Sequence, residues 1–105
     1  MISKDELLRY DRHIKLSAIG LEGQEKLKSA KVLVVGVGGL GCPVLQYLTS
    51  SGVGAIGVMD VDVVSLNNLQ RQVLFNTDDI GRLKTTTAIK RLKKSNPLVE
   101  LNNLA

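Results

Sequence analysis

The sequence predicts an α/β fold: about three strands of a doubly wound parallel sheet, alternating with helices and preceded by short helices. Three observations predict it. The run Val32-Leu33-Val34-Val35 is too short for a helix and rich in β-branched residues, the pattern of a parallel strand buried on both faces. Gly36, Val37, Gly38, Gly39, Leu40 and Gly41 follow without a gap, a G-x-G-x-x-G pattern with a further glycine inside it. Apolar residues at helical spacing, Leu40, Val44, Leu45 and Leu48, then lead to a second strand, 55–59, which ends on Asp60, nineteen residues after the last glycine. Strand, tight turn, helix and a second strand with an acid at its tip make a Rossmann-like βαβ nucleotide-binding unit.

Each part has a physical reason. Glycines free the turn for strained backbone angles and let a phosphate approach the main chain without meeting a Cβ. The unpaired N–H groups and the dipole at the start of the following helix favour an anion there. Asp60, at the carboxyl end of the second strand, is placed to accept hydrogen bonds from ribose hydroxyls. A glycine turn kept only for close helix–strand packing is the plainer alternative.

The remaining elements follow in chain order. Ser3 and Glu6 have the spacing of a capping box that starts a short helix carrying Leu7, Leu8 and Ile14. Its polar side holds Arg9, Arg12, His13 and Lys15, on composition alone a solvated basic face. Residues 22–30 predict a second short helix, weakened by Gly23. After Asp60 comes Asp62, two residues on and on the same side of an extended chain. Ser65 is placed to cap a short helix holding Asn67, Asn68, Arg71 and Gln72. That run brings amides and a guanidinium within reach of ribose and phosphate oxygens, and it reads equally as a polar surface loop. Residues 77–81 are turn chemistry. Residues 82–94 predict a helix with Leu83, Ile89 and Leu92 as its buried stripe and cations crowding its C-terminal half. Lys84, at the helix start, gains nothing from the dipole and is better explained by a nearby anion. Ser95-Asn96-Pro97 ends the helix, and residues 98–101 read as a third strand. The spatial order is expected to be 3-2-1.

Composition narrows the function. With 105 residues the chain is at most one domain, and a 44% hydrophobic fraction is that of a globular one. A helical arm, 1–30, and a Rossmann-like half, 31–105, divide it. No apolar run approaches the length of a membrane span, and the N-terminus lacks the pattern of a signal peptide. One cysteine, Cys42, excludes an internal disulfide framework and fits a reducing cytoplasm. One cysteine and one histidine exclude a zinc site built from this chain alone. The net charge of +4 raises nucleic acid as a partner, but Tyr10, Tyr47 and Phe75 are the only aromatics and form no stacking platform. Three strands are about half of a doubly wound sheet, and the apolar first strand is left as a bare edge. The expectation is that the chain is part of a longer protein or that a partner covers that edge.

Several further motifs carry a family resemblance over residues 8–101. They are RYDRHIKL (9–16), GQEKL (23–27), VLVVGVGGLGCPVLQYL (32–48), GVGAIGVMDVDVVSLNNLQRQ (52–72) and IGRLK (80–84). In this order and spacing they resemble the N-terminal portion of the ubiquitin-activating enzyme superfamily, closest to sulfur-carrier adenylyltransferases of the ThiF/MoeB/HesA type. The resemblance implies ATP with Mg²⁺ and a ubiquitin-like sulfur-carrier protein, whose C-terminal Gly-Gly carboxylate attacks the α-phosphate. By position it makes Gly36, Gly38, Gly39 and Gly41 the nucleotide turn and has Asp60 hold the ribose. It sets Asn68, Arg71, Gln72 and Lys84 against ribose and phosphates. It implies a homodimer in which Arg12 reaches the partner's site, and it makes Cys42 a small packing residue. The Mg²⁺-binding aspartate of the family, its zinc CxxC pairs and most of its carrier-gripping surface lie beyond residue 105, so the chain alone is expected to lack adenylation activity. Two other readings compete. One is an NAD-binding oxidoreductase half-domain, which has no need of both Arg71 and Lys84. The other is a non-catalytic dimerisation module of the same fold.

Overall fold

Three parallel strands form one sheet in the order β1 (Lys31–Val35), β2 (Ala55–Met59), β3 (Glu100–Asn103), the expected 3-2-1 order read from its other edge. This computed structural model describes residues 1–104. Val34 lies opposite Val58, and Ile56 opposite Leu101. Helix α4 (Gly41–Ser51) crosses from β1 to β2, and α5 (Lys84–Ser95) crosses from β2 to β3. Right-handed crossovers put both helices on one face of the sheet. The core therefore joins Val34, Ile56, Val58 and Leu101 to Cys42 and Leu45 of α4 and Ala88 and Leu92 of α5, with Val64, Leu74 and Phe75 closing it from the long β2–α5 connection.

This arrangement corrects the expectation that β1 is buried on both faces. Successive strand side chains alternate, so Leu33 and Val35 point to the face that carries no helix and are 52% and 70% exposed. The run is continuous and apolar, yet only one side of it is covered among the described residues.

The arm differs from expectation in detail. The Ser3–Glu6 capping box is present, with Ser3 Oγ accepting from Glu6 N–H at 3.2 Å and Glu6 Oε1 accepting from Ser3 N–H at 2.9 Å. The helix it starts breaks at Tyr10 into α1 (Lys4–Arg9) and α2 (Asp11–Ile14). Helix α3 (Gly20–Ser29) begins two residues earlier than the sequence suggests and keeps Gly23 inside it. There a Cβ would lie 3.0 Å from the Ile19 Cγ2 methyl.

Two further expectations shift. Between Asp60 and Gln72 only Leu66–Asn68 is helical, as a single 3₁₀ turn rather than a helix reaching Gln72, and a second 3₁₀ turn, Thr77–Asp79, lies within the expected turn. Helix α5 starts at Lys84 because Val63 pairs with Leu83 in an isolated antiparallel bridge that holds the chain extended. Leu83 is accordingly half exposed, and the buried stripe of α5 is Thr85, Ala88 and Leu92 with Ile89 beside it. The third strand lies two residues further along than 98–101 because Asn96 Oδ1 turns the chain by accepting from Leu98 N–H.

Candidate nucleotide site

The glycine turn sits between the end of β1 and the start of α4, and its four glycines have different reasons to be there. Gly36 takes φ +95°, a left-handed angle that costs a side chain roughly 1–2 kcal/mol, while its N–H continues the sheet by bonding the Met59 carbonyl at 2.7 Å. A Cβ on Gly41 would stand 1.8 Å from the Gly36 carbonyl oxygen, so this glycine lets the helix close against the strand. Gly38 is not packed in this way, since a Cβ there would meet nothing nearer than the Gln72 amide at 3.9 Å. Gly39 faces the Arg71 side chain, whose Cδ and Nε would be 3.4 Å from an added Cβ. Of the first residues of α4, Cys42 donates its N–H to the Gly38 carbonyl at 3.0 Å and Pro43 has none, so the helix start offers an anion its dipole and the Gly41 N–H.

Asp60 braces this turn. Its Oδ2 accepts from Val37 N–H and its Oδ1 from Asp62 N–H, both at 2.7 Å. Partial burial pushes its carboxyl up, but those two N–H bonds and the charge of Lys84 outweigh it and hold the group below the usual aspartate range. Lys84 is 5% exposed at the start of α5, and its N–H bonds the Asp62 carbonyl at 3.0 Å. The connection between them is closed by two further main-chain bonds, Val64 N–H to the Arg82 carbonyl and Gly81 N–H to the Val64 carbonyl. Asp79 secures the same connection, accepting from Arg91 through both carboxylate oxygens at 3.0 Å.

The structure therefore brings together Gly36, Gly38, Gly39, Gly41, Asp60, Asp62, Arg71, Gln72 and Lys84. Arg71 is held over the turn by Nη1, which donates to the Asn67 carbonyl at 3.2 Å. Gln72 is 3% exposed beneath it, and its Oε1 has no partner. Asn68 lies nearby, its Oδ1 committed to the N–H of Ser65 at 2.9 Å. Cys42 is fully buried with Sγ against the Val37 carbonyl at 3.7 Å. Burial pushes its thiol pKa up despite the nearby charge of Lys84, which fits the packing role expected of it.

Arg12 does not join this group. It is exposed on α2, and the arm is docked at the other end of α4. Tyr10 and Gln24 pack on Gly52, the residue after α4, where a Cβ would stand 2.6 Å from Tyr10 Cζ. An eleven-residue helix is about 16 Å long, so the arm and the turn are separated by that span.

Sequence reasoning missed the Val63–Leu83 bridge and the Asp79–Arg91 pair that together fix Lys84. The spacing of Asn76 and Asp79 was a usable signal, because they form a capping box in which each side chain accepts from the other's end of the turn.

Comparison with known proteins agrees with this fold. The chain is 54% identical over 99 residues to a sulfur carrier protein adenylyltransferase of Thermus thermophilus, covering 94% of the chain and 36% of the relative. The chain thus spans about a third of the length of that curated relative. Among solved structures, the tRNA N6-threonylcarbamoyladenosine dehydratase TcdA of E. coli in complex with ATP matches 99% of the chain and 42% of its own, with a TM-score of 0.91 and 28% identity. E. coli MccB with ATP matches 92% of the chain and 30% of its own, with a TM-score of 0.84 and 39% identity. The ThiF family model matches residues 10–105, the arm's Tyr10 through the third strand, and with the glycine turn, Arg71 and Lys84 all inside that match the chain belongs to the ThiF family.

Proposed function

We propose that this chain is the ATP-binding portion of an enzyme that adenylates the C-terminal Gly-Gly carboxylate of a ubiquitin-like sulfur-carrier protein. The observation that carries the reading is the convergence of Arg71 and Lys84 on a turn whose Gly38 would accept a Cβ without a clash, in ordinary contact with the Gln72 amide at 3.9 Å. A dinucleotide dehydrogenase has no use for two such cations at this place, and the solved relatives named above hold ATP.

In this reading the triphosphate lies along the glycine turn and the start of α4, and the ribose lies at Asp60 and Asn68. A carboxylate oxygen of the carrier attacks the α-phosphorus, the bond to the bridging oxygen of the β-phosphate breaks, and pyrophosphate leaves from an acyl-adenylate. Both reactants are anions, so the barrier is largely electrostatic. Arg71 and Lys84 offset it, Asp62 and Gln72 lie beside the same turn, and Arg12 acts on the site of a second copy because it lies too far from its own. Among the described residues no group of three or more His, Cys, Asp or Glu side chains is arranged to hold a metal. The family resemblance has Mg²⁺ arrive with ATP and take its aspartate ligand from beyond residue 105. The arm, 1–30, and the Rossmann-like half, 31–105, are the two working units, and the setting is the cytoplasm. No helix is long and apolar enough to cross a membrane among the described residues.

The test is ATP–pyrophosphate exchange with a carrier ending in Gly-Gly, run on this chain and on a longer protein that begins with it. Exchange by the longer protein alone, reduced on the order of 10²–10³-fold by Arg71→Ala, is the expected result. Exchange untouched by that substitution would overturn the reading in favour of a non-catalytic module.

A further inference from the structure

Helix α5 carries charge of one sign only. Its twelve residues, KTTTAIKRLKKS, hold five cations and no acid. Lys84 serves the glycine turn, and Arg91 is paired with Asp79. Lys90, Lys93 and Lys94 are exposed, and none is in an ion pair among the described residues. The helix dipole accounts for Lys93 and Lys94, which sit in the last turn. It does not account for Lys90, or for the lack of a single balancing carboxylate where exposed helix faces ordinarily mix both signs.

Beside this helix lies an open strand edge. Strand β3 is the last of the sheet, with β2 on one side and no strand on the other among the described residues. Glu100 N–H bonds the Gly54 carbonyl at 2.9 Å and Leu104 N–H bonds the Val58 carbonyl at 3.0 Å. Main-chain groups alternate sides along a strand, so the N–H and C=O of Leu101 turn to the outer edge. Between this edge and α5 runs a groove of about 420 Å³, lined by Thr86, Ile89, Lys90, Lys93, Leu101 and Asn103. Leu101 belongs to the core and Ile89 packs against it, so the floor is apolar while the two lysines are exposed above it. Open edges are ordinarily blunted by a proline, a bulge or a charge on the strand itself. Strand β3 pairs in unbroken register and has no proline, and its one charge, Glu100, lies on the opposite face with Asn102 and Gly57.

We propose that this groove binds an acidic, extended peptide segment of a partner protein, which joins the sheet as a strand beside β3 with its carboxylates on Lys90 and Lys93. A strand added about 4.8 Å from β3 exchanges main-chain bonds with Leu101 and turns every second side chain into the groove. Those side chains are about 6.6 Å apart along the strand, and helix positions three apart are about 5–6 Å apart. Two acids at i and i+2 therefore meet Lys90 and Lys93 without strain. A polynucleotide would be drawn by the same cations, but the groove has no aromatic surface for its bases, whereas the edge offers the donor and acceptor that a peptide pairs. The groove stands whether or not the glycine turn binds ATP.

The probe is a fluorescent hexapeptide of alternating glutamate and valine, titrated into this chain at low salt beside its lysine–valine counterpart and a short oligothymidine. The acidic peptide should bind at least tenfold tighter than the basic one. Lys93→Glu should weaken it roughly tenfold, and Lys94→Glu, the same change of net charge outside the groove, should weaken it far less. Hydrogen exchange read by NMR should show the Leu101 amide protected in the complex, which attraction between surface charges alone does not produce. Equal losses from Lys93→Glu and Lys94→Glu, or tighter binding of oligothymidine through the same lysines, would overturn the proposal in favour of a diffuse polyanion surface. Binding that leaves Leu101 exchange unchanged would overturn the strand pairing. No binding of the acidic peptide at millimolar concentration would overturn the whole and leave the lysines as guards of an open edge.

Discussion

The glycine turn offers a sharp test, because its glycines separate by geometry into those the fold requires and those only a ligand would. Gly41→Ala drives a methyl to 1.8 Å from the Gly36 carbonyl oxygen, a main-chain atom that no rotamer change can move aside. Relief means prying α4 from β1, an overpacking cost of about 3 kcal/mol. At roughly 4–8 °C per kcal/mol for a domain of this size, the melting temperature should fall by about 12–24 °C. Gly38→Ala meets only the Gln72 amide at 3.9 Å and has no positive φ to strain, so its melting temperature should stay close to that of the parent chain. Its cost should appear when nucleotide is added. A methyl between the main chain and a phosphate removes hydrogen bonds to a charged group, worth about 1.5–3 kcal/mol. That is roughly 10- to 150-fold in affinity. Thermal denaturation monitored by circular dichroism, with ATP titration by calorimetry, reads both quantities. If Gly38→Ala destabilises the free chain as much as Gly41→Ala, the turn is a packing device. If it binds ATP as the parent does, no phosphate approaches Gly38.

Three further outcomes are expected. Asp60 has its folded pKa below the unfolded value, so its contribution to stability is complete above the usual aspartate pKa of about 4 and is lost as pH falls through the lower folded value. Asp60→Asn should therefore flatten the acid limb of a melting-temperature profile, and an unchanged limb would show that the two N–H bonds contribute nothing. Cys42 is fully buried with its thiol pKa raised, so a thiol reagent at neutral pH should react only as fast as the chain opens, and prompt labelling would contradict the burial. Tyr10→Phe removes one of the two bonds donated by Asn96 Nδ2 and should cost about 1 kcal/mol by chemical denaturation. Asn96→Ala loses both of these and the Leu98 N–H bond to Oδ1 and should cost more, so equal costs would mean that the Tyr10 hydroxyl carries the whole contact.

Much of the βαβ unit was legible in the sequence because its signals are local. Val32–Val35, the glycines and Asp60 are read within thirty residues of one another, and each has a backbone reason to be where it is. What was not legible depends on partners distant in the chain. Nothing near Leu33 or Val35 says that both crossover helices lie on the other side of the sheet, so one-sided burial was missed. The docking of the arm through Tyr10, Gln24, Asn96 and Gly52 joins residues up to 86 apart, and no local pattern encodes it. The end of the helix expected to reach Gln72 was missed for a different reason. The Ser65 cap is real, with Asn68 Oδ1 closing it, but the cap ends a single 3₁₀ turn because the chain must return to pair Val63 with Leu83.

Asp60 links what the sequence could show to what it could not. The fingerprint presents it as a ribose ligand, yet before any ligand arrives both of its oxygens are in use, one on the glycine turn and one on Asp62 N–H. Each carboxylate oxygen keeps a second lone pair, so a ribose contact is compatible with this bracing rather than an alternative to it. The consequence is a continuous path of hydrogen bonds: Val37 N–H to Asp60, Asp60 to Asp62 N–H, and the Asp62 carbonyl to Lys84 N–H. The backbone of the turn and the start of the helix that carries Lys84 are thereby tied to one side chain. A phosphate that settled on the turn would find Lys84 already placed, without the entropy cost of ordering a long cation from solution. The acid at the strand tip therefore works first as a brace, and its removal should disturb the position of Lys84 as well as any contact with the ribose.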